Sequence, residues 1–159
     1  VVTATTYEAL DFVAGLYTFS NVLSPVPAGD PRTFTITGAR LHELQDATPV
    51  AWSLALFRQQ PTIASADEAT LDMTDANADF VLDFIHFPAT ASTHVMDLGS
   101  SVMMKGSFPN GPMTIILDDV DADQVSTEDL NLYGALQVLG TWVAGATTAP
   151  IIDLFIVND

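Results

Sequence analysis

Apolar residues recur along this chain in short β-branched or aromatic runs bounded by Gly, Pro, Asp or Asn, the spacing of strands and turns. Residues 33–41 alternate: Phe34 and Ile36 fall on one face, and Thr33, Thr35 and Thr37 on the other, as a half-buried strand requires. Residues 50–58 set Trp52, Leu54 and Leu56 against Ala51, Ser53 and Ala55, and the small side chains predict a second sheet or a neighbouring chain close by. Further strands are predicted over 16–24, 80–87, 95–108, 113–120, 130–143 and 151–157. Pro109-Asn110-Gly111-Pro112 is a reverse-turn signal, and it predicts that the runs on either side are neighbouring strands. Residues 65–79 differ in character, with Asp67, Glu68, Ala69, Leu71, Met73 and Ala76 suited to short helical turns.

About eight strands with little room for long helices give the predicted fold class: mainly β, an antiparallel β-sandwich, jelly-roll-like, with short helical turns. Strand order stays open at this level. With 159 residues, no linker and no internal repeat, the chain reads as one domain over residues 1–159. Residues 1–15 are an expected extended N-terminal arm. Its start, Val1, Val2, Thr3, Ala4 and Thr5, is uncharged and suited to adding a strand to a neighbour's sheet, the alternatives being an ordinary first strand or a loose terminus.

Composition narrows the partners. Hydrophobic residues make up 48% of the chain and mean hydropathy is +0.32, which argues against disorder. Against 20 Asp+Glu stand only 4 Lys+Arg, a formal net charge of -16. Asp outnumbers Glu 16 to 4, and Asp favours turns, so the acids are expected in connections between strands. A surface this acidic repels phosphates, which predicts no nucleic-acid partner and no anionic membrane, and leaves a basic protein or cations as attractive partners. Solubility alone, or a saline medium, accounts for the charge equally well. The uncharged run 130–152 is long enough for a membrane span, but Gly134, Gly140, Gly145 and Pro150 make two strands and a turn the better reading. Residues 1–20 lack the pattern of a signal peptide.

Catalytic signatures are missing from the sequence. There are no cysteines, no Gly-x-Ser-x-Gly, no phosphate-binding glycine loop, and His42, His86 and His94 are scattered. No cofactor is expected, and the chain reads as a non-enzyme. The most suggestive cluster is 118–123, where Asp119, Asp121 and Asp123 alternate as calcium ligands on a loop do, without the glycine and distal Glu of an EF-hand. Asp75, Asn77 and Asp79 form a second alternating set. A solvated acidic loop explains either set.

Several short motifs resemble a group of small tailed-bacteriophage virion proteins. Tyr7 followed by Val13-Ala14-Gly15 is similar to their opening, and Leu54-Ala55-Leu56-Phe57 with Pro61 to a strand ending. Asp67-Glu68-Ala69 stands where they carry an Asp-Asn-Ala turn, with Glu68 departing from that pattern. Leu132-Tyr133-Gly134-Ala135 and Ile152-Asp153-Leu154 look like their last two strands. The resemblance implies a jelly-roll or related sandwich that decorates or cements a capsid: a homotrimer on the capsid exterior, with the major capsid protein as partner. Related folds serve as head fibres or tail components. The rival expectation is a calcium-assisted, carbohydrate-binding sandwich of a receptor-binding appendage, with Trp142 or Tyr133 as exposed aromatics beside the acidic cluster.

Overall fold

The computed structural model describes residues 6–20, 22–24, 30–43, 49–63, 69–73, 75–90, 94–97, 101–108, 110–117, 130–144 and 149–158. Among them are nine strands and one helical turn: β1 Phe12–Phe19, β2 Arg32–Glu43, β3 Trp52–Phe57, α1 Asp75–Ala78, β4 Val81–Phe87, β5 His94–Asp97, β6 Val102–Lys105, β7 Met113–Leu117, β8 Leu132–Val138 and β9 Ile151–Asn158. Every strand pairing is antiparallel. Sheet one has the order β1-β8-β3-β4, and sheet two places β2 between β9 and the β6/β7 edge, with β5 outside β6. The fold is the expected antiparallel β-sandwich. Within the expected helical stretch, α1 is the helical turn among the described residues.

β2 shows how the sequence builds sheet two. Phe34 and Ile36 point into the core and Thr37 outward, as alternation predicts. The register with β9 then slips between Ile36 and Gly38. This bulge adds one residue and resets the phase, so Ala39, Leu41 and Glu43 also face inward.

β6 and β7 correct one expectation. They are not hairpin neighbours across the Pro-Asn-Gly-Pro turn. Residues 40–43 of β2 pair with β6 and residues 32–36 with β7, so both lie end to end along one edge of β2. The turn does form, with Gly111 at φ +89° and its N–H donating to the Phe108 carbonyl at 3.0 Å. Its excursion leaves sheet two at Gly106, bridges His86 through Ser107, and returns at Met113. Local turn chemistry is the same whether the flanking strands pair with each other or with a common third strand.

The core lies between the sheets, around Trp52, Leu54 and Leu56 of β3, Phe34 and Leu41 of β2, and Leu136 and Val138 of β8. Sheet one is also buried on its outer face. Phe12, Ala55, Phe57, Tyr133 and Ala135 pack there beneath Ile63, Leu71, Met73 and Phe80 from the β3–β4 connection. Asn77 holds this cover: its side-chain amide donates to the Thr62 carbonyl at 2.7 Å. The small residues of β3 thus do mark a neighbouring layer, supplied by the chain itself.

Part of the expected arm over 1–15 belongs to the body: Tyr7 is wholly buried, exchanges two backbone hydrogen bonds with Trp142 at 2.8 and 2.9 Å, and Phe12 opens β1. Residues 1–5 lie outside the described residues. The long uncharged run contains β8 and the start of β9, and no helix among the described residues is long and apolar enough to cross a membrane.

Candidate functional site

The two sheets treat their outer faces differently. Sheet one is largely covered by the β3–β4 connection, with Phe84 of β4 left 44% exposed, whereas sheet two leaves Ile116, Ile151, Phe155 and Val157 about half exposed, at 58, 48, 50 and 50%. These side chains share the outer face with Thr33, Thr35 and Thr37, and Thr35 and Thr114 hydroxyls meet at 3.1 Å across β2 and β7. Among the described residues β9 pairs with β2 alone.

Charge is concentrated in one row across this face. Arg40 of β2 stands opposite Asp153 of β9 on one side and Lys105 of β6 on the other. The Arg40 guanidinium donates through Nε to Asp153 Oδ2 at 2.8 Å and lies 6.0 Å from the centre of the Phe155 ring. Both members of the pair are about two-fifths exposed, so solvent screens it and its contribution to stability is small. Its effect on the surface is larger: Asp153 is taken by Arg40, and Lys105 has no ion-pair partner among the described residues. Beside this row lies a depression of about 280 Å³, lined by Gly38, Phe155, Arg40 and Lys105 among others. The Phe155 ring covers the glycine so closely that a Cβ there would stand 3.2 Å from Cδ2.

A second polar arrangement is interior. Glu43, completely buried, accepts a hydrogen bond at 3.1 Å from Trp142 Nε1. The Trp142 ring packs against Tyr7 at 5.2 Å and edge-on to Trp52 at 5.1 Å. Nearby in the sandwich, Tyr17 donates its hydroxyl to the Pro150 carbonyl at 2.9 Å, and burial pushes the phenol far above its usual range. Both arrangements fasten segments distant in sequence.

The expected site residues fare unevenly. Asp119, Asp121 and Asp123, and Val1, Val2, Thr3, Ala4 and Thr5, lie outside the described residues. The set Asp75, Asn77 and Asp79 does not form a ligand cluster, because Asn77 is buried and its amide is used on Thr62. Among the described residues no group of three His, Cys, Asp or Glu side chains converges as a metal site would need. Trp142 and Tyr133 are 2 and 7% exposed, which removes both as an exposed platform for sugar rings. A cleft of about 370 Å³ opens between β4 and the 106–112 excursion, lined by Asp83, Phe84, His86 and Phe108.

No protein-family model and no curated protein matches the chain. Four residues of the quoted motifs, Gly15, Leu54, Leu56 and Gly134, sit at positions set by backbone and packing, while Asp67 and Glu68 lie outside the described residues. Gly15 lies at φ +89° where the β1–β8 register slips between Val13 and Leu16, a conformation that suits glycine. Gly134 has no room for a side chain, since a Cβ would stand 2.8 Å from Leu54 Cδ1. Leu54 and Leu56 fill the core.

Sequence reading missed the Asp153–Arg40–Lys105 row and the inward Glu43. A signal existed for each. Lys105 is the single lysine of the chain, and Glu43 stands in phase with Ala39 and Leu41 once the bulge is known.

Proposed function

We propose that this protein works by docking and assembly and carries out no catalysis. In the setting that its motifs resemble, it is a virion structural protein on the capsid exterior, a homotrimer that decorates or cements the shell formed by a major capsid protein. One observation carries the assembly reading: the outer face of sheet two keeps large apolar side chains about half in solvent, beside a strand, β9, that pairs on one side alone among the described residues. Exposed apolar surface of this kind suits protein contact. Burying the exposed portions of Ile116, Ile151, Phe155 and Val157 contributes roughly 2 kcal/mol each at ~25 cal/mol per Å², before the entropic cost of association. Three copies acting together multiply such modest contacts through effective concentration.

Two measurements test the proposal. Light scattering on the purified protein is expected to give the mass of three chains, and antibody labelling of virus particles from the same source is expected to decorate their exterior. A monomer at micromolar concentration that is absent from particles refutes the proposal. Turnover of a glycan or ester that one carboxylate substitution abolishes refutes the non-catalytic part.

A further inference from the structure

We infer that the depression beside Arg40 and Lys105 receives a carboxylate side chain from a second copy of this chain, making the outer face of sheet two one half of a heterologous self-contact. The inference rests on the assembly reading and specifies its surface and chemistry.

Charge selects the occupant. The chain has 4 basic residues against 20 acidic ones. Arg32 is buried, which leaves Arg40, Arg58 and Lys105 as the basic side chains that reach solvent. Two of these three are direct cross-strand neighbours. Like charges in that arrangement repel. Asp153 relieves Arg40, while among the described residues no acid pairs with the Lys105 ammonium beside Phe155. On a molecule of net charge -16, this spot attracts carboxylates and the remaining surface repels them. Acids exposed elsewhere on the body, such as Asp30, Asp75 and Asp79, give every other copy the complementary group.

Shape and apolar surface agree with the charge. The depression of about 280 Å³, lined by Thr37, Arg40, Lys105 and the Phe155 ring that packs over Gly38, accommodates an acidic side chain with its neighbouring backbone. Phe155 lines it, and the exposed Val157 and Ile116 lie further along the same outer face, where a second body that covers the face also buries them. The acidic donor patch and the receiving depression are different surfaces, so the contact is heterologous: it closes into a ring where its rotation divides the circle, and three copies make the trimer.

The single lysine makes the test direct. A zero-length carbodiimide joins an amine to a touching carboxylate, and Lys105 carries the only side-chain amine. Mixed natural-abundance and ¹⁵N-labelled full chain is cross-linked, digested and read by mass spectrometry. The expected product is an isotope-mixed link from Lys105 to an Asp or Glu of another copy. Lys105→Arg is expected to abolish the link and keep the association, measured by sedimentation velocity over a concentration series. Lys105→Glu and Phe155→Thr are each expected to weaken association at least tenfold with unchanged circular dichroism. Lack of any intermolecular Lys105 link in the unsubstituted chain, or association indifferent to both substitutions, overturns the inference. A monomer that still labels particles refutes self-contact and leaves decoration standing, whereas a Lys105-linked oligomer absent from particles does the reverse.

Discussion

Replacing Trp142 with Phe tests whether the Glu43 hydrogen bond stabilises the sandwich. The indole is 2% exposed, donates to a wholly buried carboxyl at 3.1 Å, and contacts Tyr7 and Trp52. Phenylalanine keeps an aromatic ring there but removes the donor. Loss of a hydrogen bond to a buried carboxyl costs about 1.5–3 kcal/mol. The smaller ring leaves a void that adds roughly 1 kcal/mol. The sum, about 2.5–4 kcal/mol, corresponds to a fall in Tm of roughly 5–15 °C for a domain of this size. Urea unfolding followed by circular dichroism reads the change as a shift in midpoint at constant slope. Glu43→Ala completes a double-mutant cycle, because removing the indole then breaks no bond to that carboxyl, and a coupling of about 1–3 kcal/mol is expected. Additive effects within about 0.5 kcal/mol, or a Trp142→Phe cost below about 1 kcal/mol, would refute the reasoning.

Three further outcomes follow from the packing. Gly134→Ala drives a Cβ to within 2.8 Å of Leu54 and 3.2 Å of Phe19, and its overpacking is expected to cost about 1–3 kcal/mol in urea unfolding. Gly15→Ala has open space around its Cβ, so any loss, expected at about 1–2 kcal/mol, comes from φ +89° alone. Tyr17 keeps its proton in the folded state while the unfolded chain releases it near about pH 10. The unfolded state therefore binds fewer protons there, and stability falls as pH rises above that value. Tyr17→Phe is expected to flatten this alkaline slope in melts taken at a series of pH values.

Strand placement was legible wherever side chains alternate in character. The Phe34/Ile36 against Thr33/Thr35/Thr37 pattern gives β2 directly, and large Trp52, Leu54 and Leu56 against small Ser53 and Ala55 give β3, which is buried on both faces. Loop placement of acids holds for exposed Asp30 and Asp72 but fails at Glu43, Asp83, Asp97 and Asp153, which lie in strands. Partner choice was not legible, because it depends on contacts far apart in sequence. Nothing local reveals that β6 and β7 share one edge of β2, or that Phe155 covers Gly38. Trp142 and Tyr133 misled for a related reason, since an aromatic residue looks the same at a surface or in a core until its neighbours are known. The depression on sheet two needs three strands to assemble before it exists.

Pairing of β1 with β8 and of β2 with β9 has a consequence for how the chain matures. Both early strands wait for partners more than 100 residues later, so on a ribosome the first half emerges without the edges that complete it. Such long loop closures make for slow folding and leave strand edges open meanwhile. Release of a chain shortened before residue 151 strands β2 without one of its two flanking neighbours, and such a fragment is expected in inclusion bodies when the full-length product is not.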